Sequence, residues 1–189
     1  MTQYDAAFEA MGVPYEARYV ETAQGPTHAV VCGDEEGRPV VLWHGQNANA
    51  ATWAHWIPAL APSYRVYAID VIGGMGKSAP SRPVKKGMAY GEWAAEALEA
   101  LGLAQASMIG ASQGGWLIGK LASVAPDRVG CAVLISSAGL LPVSLTAAFR
   151  LVPRVLLKPT EEAAREMLAT VSAPGVPEDP FFLELFELM

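Results

Sequence analysis

Six residues, Gly110-Ala111-Ser112-Gln113-Gly114-Gly115, constrain the fold more than any other stretch of the chain. An apolar run at 106–109 leads into them and a helix-compatible segment at 116–122 leads out. This is the pattern of a nucleophile elbow, a sharp strand-to-helix turn that lifts a serine hydroxyl above a parallel sheet. Such a turn forces the serine into strained backbone geometry, so the residues two places to either side must be very small. Gly110 and Gly114 meet that demand.

The rest of the chain reads as alternating β-rich runs and helical patterns, the sign of a mostly parallel sheet with crossover helices. Strands are expected near 16–21, 27–32, 39–43, 65–69, 106–109 and 129–136, the first two as an antiparallel hairpin. Helices are expected over 53–60, 90–101 and 113–124. In the second, Tyr90, Trp93, Ala97, Leu98 and Leu101 recur at helical spacing and should face the sheet, with Gly102 as the C-terminal cap. Residues 1–142 read as the core of the fold. Beyond Pro142 the pattern is purely helical, so 143–189 reads as the start of a helical cap, ending in an apolar helix at 181–189.

Composition narrows the function. Hydrophobic residues make up 52% of the 189 and charged residues 17%, which excludes a disordered or fibrous chain. A formal charge of -6 with scattered basic residues argues against nucleic-acid binding. The cysteines, Cys32 and Cys131, each sit in an apolar strand-like run and are expected to be buried, reduced thiols. The polar, acidic start of the chain does not read as a signal peptide, and the expected compartment is the cytoplasm. Residues 129–149 carry no charge and could span a bilayer by length. They contain Ser136, Ser137, Gly139, Pro142 and Ser144, however, and divide into a strand and a new start after Pro142. No membrane role is expected.

Two further blocks bear on chemistry. His44-Gly45-Gln46 follows the strand at 40–43, where an acyl-transfer enzyme takes one backbone N–H of its oxyanion hole; the residue after the nucleophile supplies the other. The donors are then the main-chain amides of Gln46 and Gln113. Asp70 opens Gly73-Gly74-Met75-Gly76-Lys77-Ser78 after the strand that ends at Ile69. Gly76-Lys77-Ser78 looks like the end of a phosphate loop, but Val71 stands where the pattern needs glycine, and the prolines at 80 and 83 forbid the required helix. No nucleotide, metal or other cofactor is expected. The histidines, His28, His44 and His55, offer no close-spaced ligand pair.

These blocks, in this order, resemble the α/β-hydrolase family, from about Tyr15 to Leu141 and on into the family's cap region. The style of the 64–73 strand and turn is most similar to small bacterial carboxylesterases. The resemblance implies Ser112 as nucleophile, Gln46 and Gln113 as oxyanion donors, and His44, Gly45, Asp70, Gly110 and Gly114 as motif residues, Asp70 as a loop organiser. It also separates the chain from haloalkane dehalogenases, whose nucleophile is an aspartate. The departure lies after Ser112. The family places an acid and then a histidine there, and no histidine follows Ser112 in this chain. Neither the general base nor the triad acid is found, and the fold is expected to be C-terminally incomplete, its last strands absent. The strand run 131–135 should then be an open apolar edge, able to pair with a second copy or a complementing chain. Two functions follow from these residues. One is a serine hydrolase acting on small-molecule carboxylic esters, here as a partial or inactive chain. The other is a non-catalytic binding module on a truncated hydrolase scaffold.

Overall fold

The computed structural model describes residues 3–140 and Glu162. The chain separates into two compact units, Met1–Leu141 and Pro142–Met189. Apart from Glu162, the described residues lie in the first. The expected cap at 143–189, with its terminal apolar helix, otherwise lies outside them.

Six strands form one sheet: β1 (Tyr15–Val20), β2 (Thr27–Gly33), β3 (Arg38–Trp43), β4 (Tyr64–Ile69), β5 (Ala106–Ala111) and β6 (Val129–Ile135). Their order across the sheet is β1-β2-β4-β3-β5-β6. β1 and β2 pair antiparallel, as does β2 with β4, whereas β4, β3, β5 and β6 run parallel. Each expected strand is present to within a residue or two. The central strands β2, β3 and β4 are near-continuous buried apolar runs, as a sheet covered on both faces requires. Val41, Trp43, Tyr67, Ile69 and Met108 enter one core with helices α3 (Ala89–Ala100) and α4 (Gln113–Val124). Val40, Leu42, Val66 and Ala68 enter the other, where Phe8 of helix α1 (Gln3–Ala10) and Ile57 of the short helix α2 (Ile57–Leu60) pack.

Helix α3 buries Tyr90, Trp93, Ala97 and Leu98 as its spacing predicts, and Trp93 meets Trp43 edge-on at 5.8 Å between ring centroids. Its end is a Schellman cap. Gly102 has φ 77°, its N–H donates to Glu99 O, and the N–H of Leu103 donates to Leu98 O. Two expectations need correction. The single helix expected over 53–60 is a 3₁₀ turn at Ala50–Trp53 followed, after a break, by α2, because the Asn49 side chain caps the chain earlier than the apolar pattern suggests. Helix α1 was not foreseen. Cys32 is buried, and burial pushes its thiol up to about 11, but Cys131 is exposed, since β6 has no neighbour on its outer side among the described residues.

Candidate active site

The four parallel strands all deliver special residues at their carboxyl ends, where ligands bind in open α/β sheets. Asn47 follows β3, Asp70 follows β4, Ser112 follows β5 and Ser136 follows β6. Three of these, Asn47 (φ 58°), Ser112 (φ 50°) and Ser136 (φ 46°), are the described non-glycine residues with positive φ. Such conformations cost about 1–3 kcal/mol each and persist only where the surroundings hold them. At Ser112 (ψ −109°) the holding bonds are explicit. Its N–H donates to Ile135 O at 2.9 Å, and its carbonyl accepts from Ala138 N at 3.0 Å and Trp116 N at 3.3 Å.

The small residues flanking Ser112 are required sterically. A Cβ on Gly114 would lie 2.0 Å from Trp43 O, and one on Gly110 would lie 2.5 Å from the Gly114 carbonyl carbon. Strand, turn and helix therefore press together, leaving Ser112 exposed at the corner. Gln113 begins α4, so its N–H belongs to the first helical turn, whose amides have no partner within the helix. The loop after β3 comes to the same place: a Cβ on Gly45 would lie 3.6 Å from Ser112 Cβ. Gln46 and Asn47 form the exposed turn of that loop.

His44 is buried, and both its ring nitrogens are committed. Nε2 accepts from Val71 N at 2.9 Å, which places the proton on Nδ1, and that N–H donates to Gly45 O at 2.8 Å. Burial pushes the imidazole below its usual value, so it is held neutral as a loop strut. Asp70 is buried too, and four donors meet its carboxylate. Oδ1 accepts from Ala50 N at 2.8 Å. Oδ2 accepts from Tyr4 Oη, His28 Nδ1 and Lys77 N, each at 2.9 Å. Burial alone would raise this carboxyl, but the hydrogen bonds, that from His28 foremost, hold it below the ordinary carboxylate range. Its burial also explains the glycine loop, since a Cβ on Gly76 would lie 2.1 Å from Asp70 Cγ.

The structure thus gathers Ser112, Gly45 and the Gln113 amide, and it gives His44 and Asp70 to the support of the loops. His28, on β2, is buried against Asp70. His55 lies on the exposed turn between the 3₁₀ segment and α2. Among acids after Ser112, Asp127 sits in the 3₁₀ turn before β6 and Glu162 is exposed. Among the described residues, no cluster of three or more His, Cys, Asp or Glu could hold a metal ion. None of the described helices is long and apolar enough to cross a membrane. Sequence reasoning missed Tyr4 and His28 as partners of Asp70. The available signal was Tyr4, Phe8 and Met11 at helical spacing, which marks α1 as a packed helix.

A strand–serine–helix elbow beside a strand-ending His-Gly turn on a mostly parallel sheet defines a class, and comparison with known proteins agrees. The family model for the alpha/beta hydrolase fold matches residues 38–170, and the chain belongs to that family. Carboxylesterase YbfK of Bacillus subtilis is 36% identical over 135 residues, covering 71% of this chain and 46% of the relative. The uncharacterized carboxylesterase nap of the same organism is 31% identical over 135 residues, covering 71% and 45%. The crystal structure of carboxylesterase CesB (YbfK) superposes with a TM-score of 0.81 at 27% identity, covering 97% of this chain and 63% of that one. The chain spans about half the length of the curated relatives it matches.

Proposed function

We propose that this chain carries the nucleophile and oxyanion half of a serine hydrolase acting on small-molecule carboxylic esters. The observation that carries the reading is Ser112, exposed at φ 50° on the elbow with the Gly45 turn beside it. In the reaction, Ser112 Oγ attacks the ester carbonyl. The N–H groups of Gln46 and Gln113 receive the oxyanion, and the alcohol leaves to give an acyl-enzyme that water then hydrolyses. Each such donor is worth on the order of 100- to 1000-fold in rate. The proton from Ser112 needs a base, and His44 and His28 are engaged elsewhere. The histidine and the acid that orients it come from residues beyond this chain or from a second chain paired along the edge 131–135. Residues 143–189 begin a cap domain, and the protein works in the cytoplasm.

A fluorophosphonate probe, which reacts only with an activated serine, tests this. Labelling that is lost in Ser112→Ala supports the esterase reading. A folded chain that takes no label, alone or with its complementing half, leaves the scaffold as a binding module instead.

A further inference from the structure

The loop from His44 to Ala50, which carries the Gln46 amide, hangs at both ends on one dipeptide. At its start, His44 Nε2 holds Val71 N. At its finish, Ala50 N donates to Asp70 Oδ1. A carboxylate can turn about its Cβ–Cγ bond, so the aim of Oδ1 depends on what fixes Oδ2. Three donors do so, and two of them, Tyr4 and His28, lie outside the stretch that matches the family model.

The attachment of α1 is itself well made. Phe8 is buried in the core beside Val30 and Leu42, and the Tyr4 ring lies 4.5 Å from Lys77 Nζ, which also pairs with Asp5. Lys77 is the residue whose main chain supplies the third donor to Asp70. His28 adds a second indication. It is fully buried, Nδ1 faces Asp70, and Nε2 has no hydrogen-bond partner among the described residues. A buried imidazole satisfied on one side only is costly, and an apolar residue would pack there without that cost. Apart from ring packing against Tyr4 and Tyr19, the Asp70 carboxylate and the Tyr4 hydroxyl are what its side chain serves.

We propose that Tyr4 and His28 are positioning residues of the oxyanion loop, acting through Asp70, so that the docking of α1 sets where the Gln46 amide points. The catalytic consequence rests on the reading of Ser112 and Gln46 as reaction groups; the positioning itself does not. Hydrogen exchange measured by mass spectrometry on the folded chain separates the two. Tyr4→Phe and His28→Leu each remove one donor to Oδ2. Each should speed exchange in the peptide containing Ala50 by about tenfold, the scale of one lost hydrogen bond to a charged group, while peptides from β3 and β4 stay unchanged. His28→Asn, which offers an amide donor near the Nδ1 position, should restore slow exchange. With the complementing half present, fluorophosphonate labelling of Ser112 should slow in the first two variants and recover in the third.

Unchanged exchange around Ala50 in Tyr4→Phe and His28→Leu would overturn the proposal, as would equal acceleration across the sheet, which marks a merely structural role. Should Tyr4→Phe fail to fold, the contrast between His28→Leu and His28→Asn decides. A wild-type chain that takes no label, alone or with its complementing half, while showing the exchange pattern would sink the esterase reading and leave the positioning intact.

Discussion

The sheet has two edges, and they are built from opposite chemistry. β1 presents Glu16 and Arg18, which pair with each other, while Glu16 also accepts from Arg65 at 2.8 Å. β6 reads Val-Gly-Cys-Ala-Val-Leu-Ile, with Val133, Leu134 and Ile135 all 40–50% exposed. A charged edge discourages pairing with another strand, whereas an apolar one invites it. β1 is therefore made as a terminus of the sheet, and β6 has the composition of an interior strand. The same asymmetry runs through the site. On the β4 and β3 side, His44 and Asp70 are buried and their loops are tied down; on the β6 side, Ser112 leans on Ile135 and Ala138 and stands open.

The largest effect comes from breaking the junction between the two sides. Gly114→Ala would drive a methyl group into Trp43 O, a backbone atom that cannot swing away. The expected loss is about 3 kcal/mol or more, a large part of a typical domain's stability, read as a lowered urea midpoint with little change in slope. A midpoint within error of wild type would mean that the elbow is far looser than its contacts imply.

The edges can then be exchanged. Leu134→Lys should reduce self-association by about tenfold or more in concentration, with a stability change within about 0.5 kcal/mol, because the residue is an exposed one on an edge. Glu16→Val with Arg18→Val should do the reverse by giving β1 an apolar edge. Sedimentation velocity across a concentration series reads both, and unchanged association in Leu134→Lys would remove β6 as the pairing surface. The cysteines offer a milder probe of the same contrast. Cys131 on β6 should react with a thiol reagent in the native chain, and Cys32, buried in β2 with its thiol pushed up to about 11, should react only on unfolding. Equal native reactivity would show that β2 is not sealed.

What was legible in the sequence was local. Strand positions follow from runs of β-branched and apolar residues, and α4 was bounded at Gln113 and Val124 because the elbow fixes its start and Ala125-Pro126 its end. The family followed from three short blocks at their spacing. What escaped was non-local. Asp70 meets Tyr4 across 66 positions and His28 across 42, and no periodicity records such a meeting. The exposure of Cys131 escaped for a related reason: an apolar strand announces that it should be covered, not whether a neighbour covers it. The Ala50–Trp53 turn was hidden because capping by Asn49 outweighed the weak helical pattern after it.

The smallest effect tests the closed side through its pH dependence. His44 is held neutral by burial and because Nε2 must accept from Val71 N, so protonating it would set a donor against a donor. Its folded pKa lies below the unfolded value of about 6.5. The unfolded chain then binds more protons in the window between them, and stability rises with pH across it. The contribution of His44 is fully present above about pH 6.5 and is lost as pH falls through the folded value. His44→Gln keeps an acceptor for Val71 N but does not titrate. The stability gap between wild type and His44→Gln should therefore be greatest near pH 8 and close as pH falls below about 6.5, by at most about 1.4 kcal/mol per pH unit. Urea midpoints at pH 8, 6.5 and 5.5 measure it. A gap that stays constant over that range would mean that His44 is not sealed from water, and the contrast between a closed side and an open one would lose its sharpest support.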